Sequence, residues 1–100
     1  MKSLTHDNFA KEIKEAPSVV HFFSAWCRPC FEQEDNLKQL ETQYTKIRFM
    51  KVNCDENSDL AAEHSIIAVP TIIVFKEGKA ARRLAGMQEV DYLKETIGKL

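Results

Sequence analysis

Two cysteines three residues apart, Cys27 and Cys30, stand where an apolar run gives way to a helical pattern. No other feature constrains the chain as much. The run Val19-Val20-His21-Phe22-Phe23 is apolar at both parities except for His21, the signature of a central strand covered by helices on each side. The segment from Pro29 to Tyr44 carries Leu37, Leu40 and Tyr44 at helical spacing, with Glu32, Glu34, Asp35, Lys38 and Glu41 on the wetter sides. Cys27 is therefore delivered by the carboxyl end of a strand to the start of a helix.

That placement has chemical consequences. Residues i and i+3 of a helix lie on one face with Cβ atoms roughly 5–6 Å apart, within reach of a disulfide that can open and close. Unpaired N–H groups and the positive end of the helix dipole favour a thiolate at Cys27, and the adjacent Arg28 adds a full charge. Pro29 suits a first helical turn, where its missing N–H costs nothing. The arrangement predicts thiol–disulfide exchange, with Cys27 as nucleophile and Cys30, one turn further in, as the resolving thiol. A structural zinc site would need four ligands, and the third cysteine, Cys54, has no partner at ligand spacing, so no metal is expected. A pair of inert core cysteines fits poorly, because Trp26 and Pro29 frame a turn rather than a packed face.

The remaining elements follow in order. Lys2 to Thr5 reads as a short edge strand, and Thr5 or His6 as the cap of a helix with Phe9, Ile13 and Ala16 on one face, ended by Pro17. Ile47 to Asn53 alternates as a third strand, with Ile47, Phe49 and Lys51 on one side and Arg48, Met50 and Val52 on the other. Asn57 or Ser58 caps a short helix containing Leu60, Ala61 and Ala62. Thr71 to Lys76, the turn Glu77-Gly78, and Ala80 to Leu84 form an antiparallel hairpin. Val90, Leu93, Ile97 and Leu100 give the last helix its docking stripe. The order is β-α-β-α-β-α-β-β-α, in a single domain spanning residues 1–100, with right-handed crossovers where strands run parallel.

Fourteen Lys plus Arg against 15 Asp plus Glu leave a net charge of -1, which offers nothing to nucleic acid or to a membrane surface. The odd cysteine count, with one locally spaced pair, is no stapled secreted framework. Lys2 is followed by polar residues from Thr5 to Asn8 rather than an apolar leader, and no run approaches the roughly 20 apolar residues of a membrane span. These features lead us to expect a soluble, reducing, cytoplasmic setting.

Trp26-Cys27-Arg28-Pro29-Cys30 resembles the Trp-Cys-Gly-Pro-Cys motif of thioredoxins, and Ala68-Val69-Pro70-Thr71 resembles the segment that supplies their cis-proline. The resemblance runs from the first strand to the last helix. It implies the thioredoxin fold, a central mixed β-sheet of parallel strands plus a C-terminal antiparallel hairpin, flanked by four helices. It implies a cis Val69-Pro70 bond facing the cysteines and presenting the backbone of Val69 to an extended substrate. From the residues alone Pro70 could simply open a strand. Gly86 matches a family glycine near the site, where it would leave room for a partner's backbone, though a plain turn explains it equally well. Trp26 is either a ring packed over the helix start or part of the substrate face with Arg28 and Pro29. The implied activity is a monomeric protein-disulfide reductase without a bound cofactor. Thioredoxin reductase would recharge it with electrons from NADPH, and its clients would include peroxiredoxins.

Three departures modify this expectation. Arg28 replaces the usual glycine and should stabilise the dithiol form, giving a potential less negative than the ~-270 mV of a reference thioredoxin. His21 occupies the place of the family's buried aspartate and could accept the Cys30 proton, the alternative being a satisfied core histidine. Lys51, matching the lysine near that acid, then has no carboxylate to pair with. Asp35 stands where a helix-kinking proline is common, so the second helix should run straighter. Cys54 is expected as a partly buried thiol open to regulatory oxidation or bridging, His6 and His64 as solvated residues, and Arg82 and Arg83 as an exposed rim. Competing functions are a glutathione-linked, oxidising or isomerising relative, and a binding module that uses the fold for docking alone.

Overall fold

A computed structural model describes residues 1–100. The elements are β1 (Lys2–Ser3), α1 (Phe9–Glu15), β2 (Ser18–Phe23), α2 (Arg28–Glu41), β3 (Arg48–Asn53), α3 (Ser58–Glu63), β4 (Thr71–Lys76), β5 (Lys79–Ala85) and α4 (Val90–Ile97), the order read from the sequence. Five strands form one sheet in the order β1-β3-β2-β4-β5. β1, β3 and β2 run parallel, while β4 is antiparallel to both β2 and β5.

β2 lies at the centre because its residues are apolar at both parities, and Val19, Val20, His21 and Phe22 are all fully buried. Alternation along the strand divides its side chains between two cores. Val20 and Phe22 pack with Phe9, Ile13 and Leu60 from α1 and α3. Val19 packs with Leu37 and Leu40 of α2 and Leu93 and Ile97 of α4. Each such side chain contributes roughly 1.5–3 kcal/mol by leaving water. His21 shares the parity of Val19, so it points toward α2 rather than α1.

The elements differ from expectation mainly at their ends. α1 starts at Phe9, not at Thr5 or His6, because the Thr5 carbonyl accepts the N–H groups of Asn8 and Phe9 while Asn8 Oδ1 accepts the Thr5 N–H at 2.8 Å. That closed turn occupies the residues expected to cap the helix. α2 includes Arg28, takes Cys27 as its N-cap and ends at Glu41, leaving Tyr44 as a half-buried satellite of the core. It runs unbroken through Asp35, as the absence of a proline there allows.

The carboxyl ends of β2 and β3, the start of β4 and the end of β5 converge at one edge of the sheet. Phe22 pairs with Thr71 and Thr71 with Ala85 in register, Cys54 N–H donates to the Phe23 carbonyl at 2.8 Å, and Gly86 N–H donates to the Pro70 carbonyl at 2.8 Å. The segments 24–30, 65–70 and 85–88 are thereby gathered together.

Candidate active site

Between β2 and α2 the chain turns sharply. Cys27 N–H reaches the Ser24 carbonyl at 3.2 Å and Trp26 N–H reaches Ser24 Oγ at 3.3 Å. The Ser24 hydroxyl in turn donates to Asp55 Oδ2 at 2.7 Å, tying this turn to the loop after β3. Cys27 then caps α2 with its own sulfur: Sγ accepts the Cys30 N–H at 3.2 Å. A sulfur that serves as the N-cap acceptor sits where the helix most favours negative charge.

Cys27 and Cys30 are joined by a disulfide across a Cα–Cα distance of 5.3 Å. Cys27 is half-buried, whereas Cys30 is only 2% exposed. Cys27 is therefore the more accessible member of the pair and Cys30 the shielded one. Arg28 and Pro29 are exposed beside them, and Arg28 makes no ion pair. Trp26 is 90% exposed, so its ring belongs to the outer face rather than packing over the helix.

Just ahead of Thr71, which pairs with Phe22 near the end of β2, the Val69-Pro70 bond is cis, with Pro70 buried and Val69 half-buried. Thr71 Oγ1 closes this loop by donating to the Ala68 carbonyl at 2.7 Å. Gly86 has φ of 84°, and a Cβ built there would meet nothing within 4 Å. The backbone there requires a left-handed residue, which glycine adopts freely, and the space in front of it is open. A groove of about 400 Å³ runs along this edge, lined by Ser65, Ile67, Ala68, Thr71, Arg83 and Ala85. Ile67 is 97% exposed and was not singled out from the sequence. Its neighbour Ile66 packs on the core while Ile67 is turned out, a distinction that two adjacent isoleucines do not advertise.

His21 lies on the α2 side of the sheet, in register with Lys51 on one side and Ile72 on the other. It is completely buried, and neither ring nitrogen has a hydrogen-bond partner. The satisfied core histidine considered above is thus not what the fold contains. Burial pushes the imidazole down to about 4, partly opposed by the charge of Glu34 and reinforced by that of Lys51, so the ring is neutral at pH 7.

Lys51 corrects the expectation that it would lack a carboxylate: its Nζ lies 3.3 Å from both oxygens of Glu34. The acid comes from α2, one turn beyond Cys30, not from the strand. Burial would raise the Glu34 carboxyl, but the hydrogen bonds and charges of Lys51 and Lys38 outweigh it and hold the group below the usual carboxylate range. His64 is also corrected. Its ring is half-buried against Phe9, Phe22 and Phe75, with Nδ1 3.0 Å from the Leu60 carbonyl, because it closes the last turn of α3 over the core. His6 is exposed near Glu63. Arg82 donates to the Tyr92 hydroxyl at 2.9 Å, and Arg83 borders the groove. Cys54 is half-buried, and burial together with Asp55 pushes its thiol up to about 11, despite a backbone hydrogen bond with Phe23.

The sequence matches the thioredoxin family model over residues 1–99. It is 34% identical to the thioredoxin of Staphylococcus saprophyticus over 97 residues, covering 96% of this chain and 93% of that protein. The oxidised mitochondrial thioredoxin 3 of Saccharomyces cerevisiae superposes with a TM-score of 0.92 at 30% identity, covering 100% of this chain and 95% of that one. A chain from a study of thiol resolution in a yeast mitochondrial 1-Cys peroxiredoxin via the glutathione and thioredoxin systems gives a TM-score of 0.92 at 29% identity, with the same coverage. From the bonded cysteine pair at the head of α2 to the cis-proline that precedes β4, this chain belongs to the thioredoxin family and is a thiol–disulfide oxidoreductase.

Proposed function

We propose that the protein is a general protein-disulfide reductase, acting as a cytoplasmic monomer and recharged by a thioredoxin reductase that draws on NADPH. The observation that carries this reading is the asymmetry of the pair, with Cys27 Sγ at the helix cap and Cys30 shielded beneath it. The Cys27 thiolate attacks a client disulfide and forms a mixed disulfide. Cys30 then attacks Cys27, releases the reduced client and leaves the oxidised pair. His21, neutral and unpartnered on the side facing α2, accepts the Cys30 proton.

Trp26, Arg28 and Pro29 form one wall of the client surface, and Val69, Pro70 and Gly86 the other. The open space at Gly86 and the exposed residues Ile67 and Ala68 that lead into the cis-proline suit an extended client segment. Peroxiredoxins are a reasonable client class, given the similarity to a chain studied with the yeast 1-Cys enzyme.

Insulin reduction driven by NADPH and thioredoxin reductase, compared with glutathione and its reductase, tests the assignment. Turnover with the first system alone is expected. Turnover only with glutathione would favour the glutathione-linked reading, which the Arg28 charge supports. Full cellular complementation by a Cys27→Ser, Cys30→Ser protein would favour a docking module instead.

A further inference from the structure

His21 is the only residue in the fold whose buried side-chain nitrogen or oxygen atoms lack hydrogen-bond partners. A buried polar ring without partners costs stability, and its two free nitrogens leave it able to take up a proton. If it takes the Cys30 proton, it must become an imidazolium in a place that disfavours charge. A thiol of ordinary acidity near ~8.5 would pass its proton to a ring titrating at about 4 against a ratio of roughly thirty thousand to one. That ratio already includes the help of the Glu34 charge, and without a negative charge beside the ring the transfer would be harder still.

The neighbours are few. β3 contributes Lys51, in register with His21. β4 contributes Ile72 in register, and β2 contributes Phe23, whose ring lies 5.6 Å from the imidazole and 5.7 Å from the Lys51 ammonium. The buried side chains of α4 are Leu93, Thr96 and Ile97, none of them charged. α2 contributes Cys30 and Glu34, which stand four residues apart on one side of the helix. Lys51 alone would repel an imidazolium. Glu34 holds that ammonium with both oxygens, is itself only 20% exposed in its side chain, and brings the single negative charge near the ring.

We propose that Glu34 is a positioning residue for the resolving step: its carboxylate, carried on the same helix as Cys30, masks Lys51 and stabilises the imidazolium formed on His21. This rests on His21 being the proton acceptor. In the step itself the Cys30 proton passes to His21. The freed Cys30 electron pair bonds to Cys27 Sγ, and the bond from Cys27 to the client sulfur breaks. The client sulfur leaves with that pair as a thiolate and is reprotonated. Two cysteines are oxidised and the client disulfide is reduced, with no further reagent.

The full-length protein can be tested by stopped flow with an aromatic disulfide that releases one chromophore on attack by Cys27 and a second on resolution by Cys30. Glu34→Gln should slow the second release about tenfold at pH 7 and leave the first unchanged, as expected for a change of roughly one pKa unit at the acceptor. Glu34→Asp should retain most of the rate. Adding Lys51→Met to Glu34→Gln should restore it, since the cation left facing His21 is removed. By NMR of the oxidised protein, the His21 titration should move down in Glu34→Gln and up in Lys51→Met. Equal slowing in Glu34→Gln and in the double variant, or no slowing in either, overturns the inference. His21→Phe separates the two layers. If it slows resolution while Glu34→Gln does not, only the role of Glu34 falls. If a folded His21→Phe protein resolves at the parent rate, the acceptor reading falls and this inference with it.

Discussion

Gln33 grips Gln88 at two points: its Nε2 donates to the Gln88 carbonyl at 3.2 Å and its Oε1 accepts the Gln88 N–H at 2.7 Å. The side chain is completely buried, and these bonds use one of its two amide donors and one of its two oxygen lone pairs. Gln88 in turn reaches back to the carbonyls of Ala85 and Gly86, each at 3.2 Å. The helix that carries Cys30 is thus bolted to the loop that carries Gly86. Replacing Gln33 by Leu would leave the Gln88 N–H unpaired, although Asn36 still donates to its carbonyl. A loss of about 1–3 kcal/mol in urea unfolding is expected. The loop 85–88 should also lose amide-exchange protection ahead of the sheet.

Acid should unfold this protein earlier than a comparable fold without a buried histidine. The unfolded His21 titrates near 6.5 and the folded one at about 4, so between those values the unfolded chain binds more protons. Stability from this group is complete above about 6.5 and is lost as pH falls through 4. The span is worth about 3 kcal/mol. His21→Leu, similar in volume and free of the titration, should flatten the decline in thermal midpoint between pH 6.5 and 4. A parallel decline in parent and variant would show that other groups govern acid unfolding.

Cys54 should be inert toward alkylation at neutral pH. Its thiol, raised to about 11, is ionised to roughly one part in ten thousand at pH 7, and the thiolate is the reactive form. Mass spectrometry of the reduced protein after brief iodoacetamide treatment should find the label on Cys27, with Cys54 modified only under denaturing conditions. Early label on Cys54 would revive a regulatory role for that thiol.

The sequence was most legible where local pattern and global position agree. Every element was readable in order, because β2 is apolar at both parities and the helices carry clear stripes. Helix starts were less so: α1 was displaced by a turn built from Asn8 and Thr5, which competes with capping on equal terms. The cysteines could be placed because spacing, the strand before them and the helix after them all point one way. The pairing of Lys51 with Glu34 could not, since Glu34 sits among charged residues on a helix flank and nothing local shows that its side chain turns toward β3. The same limit hid Gln33, whose partner is 55 residues away in sequence. Long-range polar pairs depend on how elements pack, and that information is spread over the whole chain.

Arg28 gives the last prediction. Its side chain is exposed, makes no ion pair, and belongs to the residue next to the cysteine whose sulfur caps α2. A positive charge there stabilises the thiolate and hence the dithiol form, so it makes the couple more oxidising. Arg28→Gly should therefore shift the potential to more negative values. For an exposed charge at a helix start the expected shift is roughly 5–20 mV for a two-electron couple. Because the charge is solvated, the difference between parent and variant should shrink as salt is raised toward ~1 M, where screening acts over about 3 Å. Equilibration of both proteins against a glutathione or dithiothreitol redox buffer measures this directly. Identical potentials at low salt would mean that the helix cap alone sets the stability of the thiolate.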